Sequence, residues 1–321
     1  MTIEPESLIW EDLACEWCHS TEYEIIVEGP DLQTGFPGTF QMVRCLQCGL
    51  YRQAPRLTWK SLEQYYDVTY HSYDTFEVEK LNWFKRIDKR YGPWKRLKAI
   101  EKYKSGGNLL EVGCGTGAFL EEALRSGRWN VTGVEPVKHA ADFTRNKLDI
   151  PVYTELFGDA NLPNESFDAV VLWNVLEHLD HPIDNLKKAW DVLKPGGVLV
   201  CSVPNLDSLE AEIFGRFWVG WELPRHLFVF PLHTLKTIYQ GLGFNWLGTR
   251  CISTTYGTLG TTISFWTGSW KSKHPWIAKA FLALYWSPVI RLLLVIPLWV
   301  LDRFEKSTII TVFAQKPEIK Y

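Results

Sequence analysis

The sequence predicts an α/β protein built on a parallel sheet covered on both faces, with a small metal module ahead of it and an apolar helical segment inserted near its end. Three observations carry this. Strand-like and helix-like segments alternate from Asn108 onward, four cysteines stand before them as two CxxC pairs, and Ala280–Leu301 runs 22 residues with Arg291 its only charge. Alternation of this kind gives a parallel sheet because each crossover helix packs on a face of it.

With 321 residues, 46% of them hydrophobic, the chain can bury one large core or two. A formal net charge of -3 gives no global basic field to draw in a polyanion. Met1–Glu6 is acidic and no basic segment leads into an apolar run, so no secretory signal is expected and the compartment is read as cytoplasmic and reducing. Seven cysteines there are thiols or metal ligands before they are disulfides.

Cys15-Glu16-Trp17-Cys18 and Cys45-Leu46-Gln47-Cys48 are separated by 26 residues, and Gly49 follows the second pair. This is a zinc-ribbon arrangement. A CxxC turn puts two thiolates on one side of a metal, and a glycine after it can take the left-handed conformation that closes the turn. Four thiolates fill a tetrahedron, so Zn2+ held by Cys15, Cys18, Cys45 and Cys48 would be structural. The alternatives are a redox dithiol or two accidental pairs. Residues 23–27 and 39–44 are β-like, and Gly29 to Gly38 is a turn-rich link. Cys114, Cys201 and Cys251 lie in or beside strand-like runs and read as core residues.

Leu81, Phe84, Ile87, Tyr91, Trp94, Leu97 and Ile100 recur at helical spacing, with Gly92-Pro93 an expected break. A buried strand at Leu109–Val112 then enters the turn Gly113-Cys114-Gly115-Thr116-Gly117, whose alternate glycines let backbone approach a ligand at the carboxyl edge of a sheet. Glu135 ends the next strand-like run, Val131–Val134, where a carboxylate can accept both hydroxyls of a ribose. The last two-residue gap of the dinucleotide fingerprint is missing, so the cofactor is not read as NAD.

The remaining expected elements are helices 117–126, 137–147, 182–193 and 235–242, and strands 130–134, 152–153, 168–173, 198–203, 244–251 and 308–314. Ile183, Leu186, Trp190 and Leu193 form the apolar stripe of the third of these helices.

"LLEVGCGTG" strongly resembles the first motif of class I S-adenosylmethionine (SAM) dependent methyltransferases. The likeness continues through Phe157–Pro163, Phe167–Val171 and the turn Leu193–Gly197, and spans roughly residues 90 to 255. It implies a Rossmann-like seven-stranded sheet whose last strand is antiparallel. It also implies that Glu111 secures the amino-acid end of SAM, that Gly113, Cys114, Gly115, Thr116 and Gly117 line methionine and ribose, and that Glu135, with Pro136 beside it, holds the ribose. Asp159 and Ala160 would meet adenine, and Asn174 the methionine moiety. The ribbon ending "VRCLQCGLYRQAPR", followed by "LEQYYDVTYHSY", looks like the N-terminal module of bacterial methyltransferases of sugars, polysaccharides or natural products. In such enzymes the tyrosine-rich stretch covers the acceptor, so Tyr65, Tyr66, Tyr70 and Tyr73 would contact it; otherwise they form a packing face.

Ala280–Leu301 is long enough to span a bilayer. Two features argue against a crossing: the final strand must rejoin the sheet, and Pro288 and Pro297 each remove a helical hydrogen bond. The expectation is an insert of broken helices lying in one leaflet through residues 270–303, with Trp270, Trp276, Trp286 and Trp299 at headgroup level and Lys271, Lys273, Lys279 and Arg303 facing anionic lipid. That puts the protein on the inner face of the cytoplasmic membrane. A buried helical hairpin or a homodimer interface is the alternative.

Methyl transfer is an in-line displacement, and a hydroxyl or carbon-acid acceptor needs a base. His226 and His178 both follow strand ends; Glu222 or Arg225 would orient the acceptor. His71, His139, His181, His233 and His274 read as loop-holding residues. The segments are therefore a ribbon module (1–58), a helical connector (59–106), a SAM-binding core (107–256), the apolar insert (257–306) and a final strand with its tail (307–321). The leading expectation is O- or C-methylation of a sugar, polysaccharide precursor or lipid-linked glycan. Alternatives are a small natural product such as a polyketide or quinone, and a catalytically silent SAM-binding membrane scaffold. A nucleic-acid partner is disfavoured because acidic residues outnumber basic ones around the ribbon.

Overall fold

The computed structural model describes residues 8–66, 83–252, 255–271 and 273–318. Tyr70, Tyr73, His71 and Leu81 lie outside them. The amino-terminal part is mostly β: β1 (Trp10–Glu11), β2 (Tyr23–Gly29), β3 (Phe40–Cys45), β4 (Tyr51–Gln53) and β5 (Arg56–Leu57), then the single turn α1 (Trp59–Leu62). Helix α2 (Trp83–Ile100) leads into the alternation β6 (Gly107–Val112), α3 (Ala118–Arg125), β7 (Trp129–Val134), α4 (Lys138–Leu148), β8 (Val152–Tyr153), β9 (Phe167–Trp173), α5 (Pro182–Val192) and β10 (Leu193–Pro204). There follow α6 (Leu209–Phe214), β11 (Phe228–Val229), α7 (Leu232–Gly241) and β12 (Asn245–Arg250). Three consecutive helices, α8 (Thr255–Gly268), α9 (Pro275–Tyr285) and α10 (Pro288–Arg303), precede the closing strand β13 (Ile309–Gln315).

Two compact units form, one from Met1–Tyr66, Val203–Leu235 and Ser253–Ile310, the other from Asp67–Ser202, Lys236–Ile252 and Thr311–Tyr321. The second is organised by a seven-stranded sheet in the order β12-β13-β10-β9-β6-β7-β8. From β10 to β8 neighbouring strands run parallel, and β13 is antiparallel to β12. Leu109, Leu110, Val170 and Val171 are wholly buried, which is what unbroken apolar strands achieve when helices cover both faces. Phe119, Leu120 and Ala123 of α3 and Leu97 and Ile100 of α2 close one side of this core.

Two expectations in this unit are corrected. Gly92-Pro93 does not break α2, which passes through Pro93 uninterrupted; the packing of Leu97, Ala99 and Ile100 below it outweighs the local proline cost. Strand β10 begins at Leu193 rather than near 198, because Leu193 already pairs with Phe167 before a register shift resumes the ladder at Val198.

In the first unit, β2, β3, β4 and β11 form a four-stranded sheet in the order β11-β4-β3-β2. The insert lies between β12 and β13 in the chain, as expected, and consists of α8, α9 and α10. Tyr256 of α8 stacks on Tyr285 of α9, ring centroids 4.8 Å apart, and each hydroxyl donates to the other residue's carbonyl oxygen. A Cβ on Gly260 would come within 2.5 Å of the Trp286 ring, so α8 meets the end of α9 through a glycine.

Candidate active site

Strand β6 delivers the chain into its glycine turn with Gly113, Gly115 and Gly117 all left-handed, at φ 69°, 51° and 76°. The N–H groups of Gly113 and Cys114 both donate to Val134 O, which fixes the turn against the end of β7. A Cβ at Gly113 would lie 2.6 Å from Val175 and one at Gly117 2.7 Å from Thr144, so these two glycines are needed for packing. Gly115 faces open space. It is therefore the point of the turn that a ligand can approach.

Glu135, buried at the end of β7, accepts the Gly115 N–H on Oε2 and the Val137 N–H on Oε1, both at 2.9 Å. Burial raises its pKa and these two donors oppose the rise. Each oxygen keeps a lone pair for a further donor. Glu111 is buried, and its Oε2 has no hydrogen-bond partner among the described residues. Burial pushes its carboxyl well up, Arg96 pulls it back and Glu135 adds to the rise. An orphaned buried carboxylate oxygen beside an open glycine turn is what the ammonium group of a bound amino acid would satisfy. Arg96, from α2, lies over the Trp173 ring at 4.9 Å. Sequence reading passed it over.

The loop after β8 is a tight turn in which the Asp159 and Ala160 N–H groups both donate to Leu156 O. Asp159 is exposed and Ala160 buried. The Ala160 N–H is spent inside the turn, which counts against its donating to adenine. Lys188 of α5, also unforeseen, clamps the loop by donating to Gly158 O and Ala160 O, each at 2.6 Å. Thr116 and Cys114 are buried and Pro136 is exposed. Asn174 follows β9 with φ 57°, its N–H on Ser202 O, and His178 ends the short turn Leu176–His178.

In the other unit His226 is buried, with Nδ1 2.8 Å from Gly220 O and Nε2 3.5 Å from Glu222 Oε2. A carbonyl can only accept, so Nδ1 carries the proton and Nε2 the lone pair. Burial lowers the His226 pKa, more than neighbouring Glu222 raises it. Glu222 sits at φ 26°, a conformation side chains avoid. Arg225 is not available to orient an acceptor: its guanidinium is fully buried, forked onto Asp31 at 2.6 and 3.0 Å, with Glu222 3.2 Å from Nε and Tyr65 O 3.2 Å from Nη1. Tyr65 is core, its hydroxyl on Pro37 O and its ring edge-on to Phe40; half-buried Tyr66 points its hydroxyl at Arg225 O. A cavity of about 620 Å³ opens here, lined among others by Val27, Asp31, Arg216, Trp221, Glu222 and Lys279.

The thiols of Cys15, Cys18, Cys45 and Cys48 all lie within 4.8 Å of one another. Cys15 and Cys48 are 3.5 Å apart and Cys18 and Cys45 3.4 Å, close to the roughly 3.8 Å edge of a tetrahedron with metal–sulfur bonds of about 2.3 Å. Each pair is followed by a left-handed residue, Gly49 (φ 74°) and, unforeseen, His19 (φ 60°). Burial raises the Cys45 pKa, but the N–H groups of Cys48 and Gln47, together with the neighbouring Cys18 and Cys48 thiols, bring it down to about 7. Donors aimed at sulfur in this way suit a thiolate cluster.

A mostly parallel sheet with a glycine turn at the carboxyl end of β6, an acidic residue ending β7 and a buried carboxylate beside them define a class I SAM-dependent methyltransferase. Residues 85–247 match the family model described as a methyltransferase domain, half of the chain, and the protein belongs to that family. Among curated relatives, a ubiquinone biosynthesis O-methyltransferase of Cereibacter sphaeroides is 32% identical over 37% of this chain and 51% of its own. A demethylmenaquinone methyltransferase of Tropheryma whipplei is 27% identical over 50% of this chain and 72% of its own. A tRNA U34 carboxymethyltransferase of Shewanella loihica is 31% identical over 41% of this chain and 43% of its own. The chain spans about half the length of the first of these relatives. Of solved structures, a putative sarcosine dimethylglycine methyltransferase from Galdieria sulphuraria aligns over 75% of this chain and 90% of its own, at 14% identity and a TM-score of 0.49.

Proposed function

We propose that this protein transfers the methyl group of SAM to a hydroxyl of a small ring acceptor of the quinone-precursor type. The observation that carries the acceptor is the matched relatives, several of which are named for O-methylation in ubiquinone biosynthesis. This reverses the order of the acceptors expected from sequence. A glycan is the second reading, and what favours it is the four-thiolate ribbon, which lies outside the matched residues and resembles the module of sugar methyltransferases.

In this reading SAM supplies an electrophilic methyl on a sulfonium. Glu135 receives the ribose hydroxyls on the lone pairs its two backbone donors leave, Glu111 takes the ammonium group, Gly115 gives the close approach, and Asn174 and the loop Phe157–Ala160 flank the two ends. With SAM bound, the acceptor oxygen would take the methyl group as its carbon–sulfur bond is given up to the leaving S-adenosylhomocysteine, and the protein's part would be to take the hydroxyl proton onto a base. His226 Nε2 is the proposed base: its tautomer is set by Gly220 O, and Glu222 steadies the imidazolium that forms. His178 is the alternative base. Cys15, Cys18, Cys45 and Cys48 would hold Zn2+, and four thiolates would leave it a structural role that stiffens the ribbon rather than one in the transfer.

The test is transfer of isotope-labelled methyl from SAM to a panel containing a prenylated dihydroxybenzene, a nucleotide sugar and a lipid-linked sugar. Labelling of the dihydroxybenzene is expected. Labelling of a sugar alone would replace the acceptor with the second reading, and labelling of none by a protein that binds SAM would favour a silent scaffold.

A further inference from the structure

Helix α10 has no buried residue. Only Ile290, Leu294, Leu298, Leu301 and Asp302 are half-buried, at the spacing of one helical stripe that rests on the protein. Leu292 (74% exposed), Ile296 (72%) and Trp299 (63%) stand out on the face that on a water-facing helix would be polar. Helix α9 continues this surface with Trp276, also 72% exposed, while its own anchors Ala278 and Tyr285 are buried. The surface is thus not a loosely packed region; it is held from beneath and apolar above. Contiguous apolar area on this scale marks an interaction site.

Charge says what covers it. Although the whole chain carries 37 acidic residues against 34 basic ones, Cys251–Leu301 holds no Asp or Glu, and Lys271, Lys273, Lys279 and Arg291 are all exposed within it. Length says how it lies. No single helix among the described residues is long and apolar enough to cross a membrane; α9 and α10 reach that length and apolarity only as a pair, and they meet at a bend of 65°. At 16 residues α10 is about 24 Å long, short of the roughly 30 Å of a hydrocarbon core.

We propose that α9 and α10 lie in one leaflet of an anionic lipid bilayer, apolar faces down, with Lys271, Lys273 and Lys279 on the phosphates and Trp276 and Trp299 at the interface. The assignment is independent of which acceptor is methylated. A neutral or basic protein surface would not select four cations and exclude every carboxylate over this stretch; the headgroups of an anionic leaflet would, and its acyl region suits the exposed Leu292, Ile296, Trp276 and Trp299 beside them.

The experiment is flotation of the full chain on vesicles of phosphatidylcholine, with and without phosphatidylglycerol. Recovery with the anionic vesicles is expected to exceed that with neutral ones by at least about tenfold and to fall with added salt. Leu292→Glu with Ile296→Glu should abolish flotation, and Lys271→Glu, Lys273→Glu, Lys279→Glu together should abolish its anionic preference. Both variants should still melt at a higher temperature when SAM is added, which shows that they fold. A chain that stays at the bottom of the gradient, floats equally on both vesicles, or floats undiminished as the double variant overturns the proposal. So does a detergent-free dimer that the double variant dissociates, which would give the face to a second copy.

Discussion

β6 and α10 are both apolar and meet opposite fates. Leu109 and Leu110 are wholly buried, whereas Leu292 and Ile296 are about three-quarters exposed. The first run is short, ends in a glycine turn and is followed by a helix that packs back on it; the second sits at the end of an excursion, with one stripe of contact and, among the described residues, nothing folded over the rest. Hydrophobicity alone therefore does not tell core from surface. What separates the two is whether the next element in the chain returns to cover the segment.

The expected effects that sharpen this contrast begin with the ribbon, where the four cysteines proposed to hold zinc sit beside wholly buried Phe40, Met42 and Val43. Removing zinc with a chelator, or replacing Cys45 by Ser, should abolish the metal signal in elemental analysis and melt the ribbon, since structural zinc sites supply on the order of 10 kcal/mol of folding energy. Next comes His226→Ala, which should lower kcat by roughly 10²- to 10⁴-fold and leave SAM affinity unchanged in a calorimetric titration. Its pH profile carries a sign. The base must be neutral, and burial holds its pKa below the usual histidine value of 6.5, so the wild-type rate should be flat through neutrality and fall only in acid, where the imidazole gains its proton. That acidic limb should vanish from the residual rate of the variant.

Leu109→Ala should cost about 2–5 kcal/mol of unfolding free energy in a denaturant titration, the usual result of emptying a packed site. Ile296→Lys should cost close to nothing in the same titration, within about 0.5 kcal/mol, because no buried contact is lost. Equal costs for the two would break the comparison.

What the sequence made legible was local or periodic. The glycine turn, Glu135 two elements later, the alternation of strands and helices, the two CxxC pairs and the insert between β12 and β13 were all readable, because each is written in consecutive residues or in a fixed repeat. What it hid was long-range. Arg96 lies next to Glu111 only after α2 folds onto the sheet; β11 is two residues that pair with β4 across 176 positions, Phe228 opposite Arg52. Arg225 looked like a substrate clamp because nothing nearby in sequence reveals Asp31, 194 residues away. Gly92-Pro93 misled for the converse reason, a strong local signal overridden by tertiary packing.

The central claim is that the turn at Gly113–Gly117 and the carboxylates Glu111 and Glu135 hold SAM. Calorimetric titration of SAM into the full chain and into Glu135→Gln tests it most directly. One site per chain is expected, weakened roughly 10- to 100-fold in the variant, as loss of charge-assisted hydrogen bonds would give. A folded wild-type chain that takes up no SAM, or a variant that binds it as tightly, would contradict the account.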